Sequence, residues 1–139
     1  MFKFKKLTNS AASIPEIREL DSMGCEIFEG ALFLLVDGEP MGPYGDQKPE
    51  YVSLKNCDYS HNCIPCFKLS DNMVFETEFI GDPSSIFPGT KLMGVNGHNG
   101  YTASVKSCDE DNLENAIAEI YSKLDARKSG DKVLVTFTF

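Results

Sequence analysis

Apolar and polar positions alternate along most of this chain. Alternation sends successive side chains to opposite faces of an extended backbone, so it predicts strands. Residues 2–7 read Phe-Lys-Phe-Lys-Lys-Leu and predict a short strand. Residues 26–36 predict a second, broken at Gly30, and Asp37-Gly38 behind it predicts a hairpin turn. Residues 50–54 and 64–69 predict two more. Pro65 has no N–H to give a ladder, which puts that strand at an edge or puts the proline at its start. Residues 73–80 alternate cleanly, with Val74, Glu76 and Glu78 on one face and Phe75, Thr77 and Phe79 on the other. Residues 90–95 and 101–107 predict a pair joined by Asn96-Gly-His-Asn-Gly100, because Asn and Gly accept positive φ at little cost. Residues 132–139 predict a closing strand.

Between these runs lie breakers. Residues 8–13 are small and polar and predict a linker, and residues 15–22 are ambiguous. Residues 39–47 and 81–89 are rich in Pro and Gly and predict loops. One segment fits another period. Leu113, Ala116, Ile117, Ile120, Tyr121 and Leu124 follow helical spacing over residues 112–126, while a strand through residues 116–121 competes for the same stretch. Roughly seven to nine short strands with close turns predict an all-β fold, a small barrel or sandwich, with at most one short helix around residues 112–124. Residues 1–24 read as an N-terminal arm and linker, and 25–139 as a single β-rich domain.

The chain has 139 residues and is 42% apolar, with 10 Phe and 5 Tyr, enough for a packed core. Its formal net charge is −8. A phosphate backbone repels such a molecule, so no nucleic-acid partner is expected. No apolar stretch approaches the ~20 residues that cross a bilayer, so no membrane partner is expected either. The N-terminus lacks the apolar run of a secretory signal, which with the odd count of 5 cysteines argues against a disulfide framework.

Catalysis requires a nucleophile or a tuned acid or base beside its partner. His61 and His98 both lie in polar turns, and neither a Gly-x-Ser-x-Gly nor a phosphate-cradling Gly-Lys-Ser/Thr motif occurs. The expectation is a protein that is not an enzyme. The run Asp109-Glu110-Asp111 lacks the spacing and central Gly of a calcium loop and reads as a solvated turn. The densest set of soft ligands is Cys57, His61, Cys63 and Cys66, the donor types of a structural zinc. Yet Cys63 and Cys66 enter a strand, where positions three apart face opposite ways, so one metal takes both only if a turn intervenes. Unligated thiols and no cofactor are the expectation, with zinc at these four residues as the alternative. The lysines of the first strand, Lys3, Lys5 and Lys6, are the densest basic group.

Several phrases in order resemble the small capsid decoration (cement) proteins of tailed bacteriophages. They are residues 30–38, Gly-Ala-Leu-Phe-Leu-Leu-Val-Asp-Gly; 48–54, Lys-Pro-Glu-Tyr-Val-Ser-Leu; Ile64-Pro65; 72–77, Asn-Met-Val-Phe-Glu-Thr; 88–92, Pro-Gly-Thr-Lys-Leu; Ala118-Glu-Ile120; and 129–135, Ser-Gly-Asp-Lys-Val-Leu-Val. The resemblance implies a β-tulip-like domain on the outside of a virion, bound to assembled major capsid protein. It implies a homo-oligomer, a trimer for preference, and no catalytic residues. It favours strand near residues 116–121. A tail or baseplate β-module and a small zinc-binding adaptor are the alternative functions. On this reading Phe2 and Phe4 would fill a pocket of the capsid while Lys3, Lys5 and Lys6 meet acidic surface; a plain edge strand with a solvated lysine face is the alternative.

Overall fold

A computed structural model describes residues 1–5, 16–21, 25–70 and 73–138. They form an 11-stranded sheet. Its strands are β1 (Lys3–Lys5), β2 (Ile17–Asp21), β3 (Leu32–Val36), β4 (Glu39–Met41), β5 (Tyr51–Ser53), β6 (Cys63–Lys68), β7 (Val74–Glu78), β8 (Lys91–Asn96), β9 (Thr102–Ser107), β10 (Ala118–Ser122) and β11 (Lys132–Phe137). Single 3-10 turns occur at Pro83–Ser85, His98–Gly100 and Leu113–Asn115. The strand order is β1-β7-β11-β10-β8-β9-β3-β5-β6-β2, with β4 paired to β3. The all-β expectation holds.

The sheet is not closed into the expected barrel, because β1 and β2 lie at opposite ends of the path. It curls instead. A parallel bridge brings Phe79 of the segment after β7 onto Val105 of β9, and the Phe4 ring meets Phe67 of β6 at 6.0 Å. Apolar burial drives the curl, since it lets one face close over its own side chains. One core gathers Phe2, Leu32, Val52, Phe75, Phe79, Leu92, Val105, Ile120, Val133, Val135 and Phe137. A second gathers Ile27, Phe33, Tyr51, Cys57, Ile64, Cys66 and Tyr101. The period of two explains the division. Leu32 and Val52 face the first core, whereas their chain neighbours Phe33 and Tyr51 stack at 5.4 Å in the second.

The expected separation of residues 1–24 from the domain is corrected for the part described. β1 pairs with β7 and β2 pairs with β6, so both belong to the sheet. The residue 8–13 linker, Lys6 and Phe139 lie outside the described residues. The helical alternative over residues 112–126 is also corrected, to a 3-10 turn followed by β10. The Ile117 and Ile120 N–H groups donate to the carbonyls of Leu92 and Thr90 at 2.8 and 3.0 Å. Those neighbours satisfy the backbone that a helix would satisfy alone. Within β10, Ala118 and Ile120 are buried while Tyr121 is exposed.

Two loop readings change as well. Residues 39–41, expected within a loop, form β4 against β3 through a two-residue turn at Asp37 (φ 52°) and Gly38 (φ 82°). Those angles suit the right-handed strand twist of a tight hairpin. The strand expected from residue 26 begins only at Leu32. Gly30 at φ 79° breaks it, and Ile27 makes a lone bridge to Cys57.

Candidate contact surface

The first strand alternates as its sequence dictates, and the register fixes which half faces out. Phe4 lies opposite Phe75, and Lys3 and Lys5 lie opposite Glu76 and Val74. Phe2 is only 4% exposed, and its ring sits 5.7 Å from that of Phe137. Phe4 packs on the same core, 5.6 Å from Phe75. The two aromatics expected to enter a partner's pocket therefore fill the chain's own core. Lys3 and Lys5 remain on the outer face.

That face carries a small charge lattice. Glu76 lies between Lys5 at 3.5 Å and Lys132 of β11 at 3.4 Å. Glu78 is paired by the amino terminus of Met1. Partial burial is the largest single influence on Glu78 and opposes its charge, but the hydrogen bond from the amino terminus, a backbone hydrogen bond and the charges of the amino terminus and Lys132 together outweigh it, so the carboxyl titrates below its usual range. Two lysines and the amino terminus thus meet two carboxylates, in a molecule of net charge −8. The alternation of β7 made Glu76 and Glu78 legible as one face. The contribution of Lys132 was not legible, because only the β7–β11 register places it there.

Beside β1 lies a groove of about 520 Å³, lined by Phe2, Phe4, Val52, Leu54, Phe67 and Phe75 with Lys3, Glu29 and Glu76 at its rim. Its one hydroxyl, Ser53 Oγ, donates to the Lys55 carbonyl at 2.8 Å. Among the described residues its lining contains no histidine, cysteine or tyrosine.

The four residues weighed for zinc do not gather. Cys57 is buried, with its thiol 3.8 Å from the carbonyls of Lys55 and Cys63, and burial pushes its pKa up. His61 Nδ1 accepts from the Asp58 N–H at 3.1 Å and stands 3.0 Å from Asp58 Oδ1. The Asp58 carboxyl falls to about 2, first through bonds from the Ser60 hydroxyl and N–H and then through His61. Cys63 and Cys66 point to opposite faces of β6. Cys66 is buried against the Arg18 carbonyl at 3.5 Å, and burial pushes it up to about 12. Among the described residues no group of three or more His, Cys, Asp or Glu lies together to hold a metal.

The acidic run is held by its own turn. The Asp109 N–H donates to Asn112 Oδ1 at 2.7 Å, and the Asp111 N–H to Asp109 Oδ1 at 3.1 Å. His98 Nε2 lies 3.5 Å from Glu26 Oε1. Large apolar side chains are exposed in the loops, with Tyr44 at 84%, Tyr59 at 74% and Phe87 at 66%. Composition gave no sign of these, since exposure of a single aromatic is decided by tertiary packing.

The fold and surface define an all-β protein with an ion-paired outer sheet face on β1, β7 and β11. No described helix is long and apolar enough to cross a membrane. Compared with known proteins, the chain matches no family model, no curated protein and no solved structure.

Proposed function

We propose that this chain is a capsid decoration protein of a tailed phage, which binds assembled major capsid protein and stabilises the shell without catalysing a reaction. The ordered sequence resemblance motivates the reading. The observation that carries it furthest is the outward placement of Lys3 and Lys5 beside Lys132, on a strand anchored by Phe2 and Phe4. A rigid strand presents these charges with little loss of freedom on binding. A repeated lattice multiplies modest contacts of this kind into high avidity. The phenylalanines act as anchors of the strand, and the lysines make the contact.

The test is co-sedimentation with purified phage heads. Wild-type protein is expected to pellet with intact heads and to leave isolated tails unbound. Lys3→Glu with Lys5→Glu should weaken pelleting at least several-fold while the chain still melts cooperatively. Unchanged pelleting of that variant removes the lysine face from the proposal, and binding to tails alone replaces the head reading with a tail module. Homo-oligomerisation, as a trimer, belongs to the same proposal, and sedimentation equilibrium of the free protein measures it.

A further inference from the structure

One hairpin contains the dipeptide Asn-Gly twice, at Asn96-Gly97 and Asn99-Gly100. A glycine after asparagine has no Cβ to keep its backbone nitrogen from the preceding side-chain carbonyl carbon. From sequence the two sites are equally open to loss of the side-chain amide. The fold treats them differently.

Asn96 ends β8 and pairs with Thr102 across the hairpin. The Gly97 N–H donates to the Tyr101 carbonyl at 2.7 Å. Gly97 is also hemmed in, since a Cβ there would stand 2.9 Å from Ala103 Cβ and 3.2 Å from the Phe28 ring. Its nitrogen is not free to turn onto Asn96. Asn99 is exposed at the tip, with φ 60° and ψ 22°. The Gly100 N–H makes a long bond, 3.4 Å, to the Gly97 carbonyl, and among the described residues nothing lies within 4 Å of the place its Cβ would take. The Asn99 Nδ2 donates to the Glu26 carbonyl at 3.2 Å.

We propose that Asn99 is a site of spontaneous deamidation in the folded protein. The Gly100 nitrogen attacks Asn99 Cγ and closes a cyclic imide. The Cγ–Nδ2 bond breaks, and the amide leaves as ammonia with the proton of the Gly100 nitrogen. Water then opens the ring at either carbonyl. One opening leaves aspartate, and the other leaves isoaspartate with an extra methylene in the main chain. In both products the Nδ2 donor to the Glu26 carbonyl is lost and a carboxylate is gained at this residue, on the side chain in aspartate and on the former main-chain carbonyl carbon in isoaspartate, near the Glu26 side chain that faces His98. The hairpin tip loses its tie to the segment before Ile27, and the protein gains negative charge. This inference stands independently of the capsid reading.

Ageing the full-length protein at mildly alkaline pH, followed by peptide mass mapping and enzymatic isoaspartate labelling, tests it. The expected result is a one-dalton gain at Asn99, appearing at least several-fold faster than at Asn96, and an acidic charge variant that Asn99→Gln abolishes. The wild-type map decides the matter even if that variant folds poorly. A gain confined to Asn96 overturns the proposal. So does an unmodified Asn99 in folded protein over a period in which the denatured chain deamidates.

Discussion

Phe2 shows how a single side chain changes meaning between sequence and structure. Its alternation with Lys3 was legible, but the identity of the surface it covers was not. Its burial against Phe137 predicts that Phe2→Ala lowers stability by about 3 kcal/mol, the usual cost of emptying a buried aromatic site, as read by chemical denaturation. Asp58 gives a pH signature. Its folded pKa of about 2 lies below the ordinary 3.8, so the charged form is favoured in the folded turn. The contribution is fully present above 3.8 and is lost as pH falls towards 2. The protection of the Ser60 amide, the intrinsic exchange rate at the same pH over the observed one, should therefore fall over that window, and Asp58→Asn should abolish the dependence. A protection factor flat through this range would contradict it. The set Cys57, His61, Cys63 and Cys66 was legible as donor chemistry only. Convergence depends on χ angles and strand faces, and here Cys66 turns into a core while His61 turns to Asp58.

At the scale of elements, β1 and the segment at 112–126 carry the lesson. β1 is short, yet it supplies Phe2 and Phe4 to the main core and binds β7. Deleting residues 1–5 should lower the melting temperature by several degrees or more, rather than leaving the domain unaffected as a detachable arm would. The 112–126 stretch has helical spacing in its sequence, but Leu113 and Leu124 at its ends are 52% and 49% exposed. Only the inner residues reach the core, and strand alternation serves them because β8 and β11 offer partners on both sides. Local periodicity cannot register that offer. Turns were legible where backbone chemistry was specific, as at Asp37-Gly38. Gly42 was read only as a loop glycine. A Cβ there would lie 2.0 Å from the Gly100 carbonyl oxygen and 2.7 Å from its carbon. Gly42→Ala should therefore cost about 1–3 kcal/mol in thermal or chemical melts, because backbone must move to accept it. A neutral result would mean that the 42–47 loop yields freely.

For the whole molecule, the open path from β1 to β2 and the two cores on opposite faces make a body with an ion-paired outer sheet face on β1, β7 and β11. Under the decoration reading, a net charge of −8 with a locally basic face implies an orienting electrostatic contact. Binding to heads should weaken as salt rises, with most of the loss in the wild type and little further loss in the Lys3→Glu, Lys5→Glu double variant. Equal salt slopes for the two proteins, measured by the same co-sedimentation, would assign the affinity to other surfaces.

The sequence by itself determined the class of fold, the faces of β1 and β7, and the tight turns, because these depend on alternation and on backbone preferences local to a few residues. Strand order, the curl that leaves the sheet unclosed, the inward turn of Phe2 and Phe4, the joining of Lys132 to the β1 face and the difference between two identical Asn-Gly pairs were decided by the tertiary structure. Each of these rests on which distant segment supplies a hydrogen-bond partner or a packing surface, and no local pattern encodes that choice.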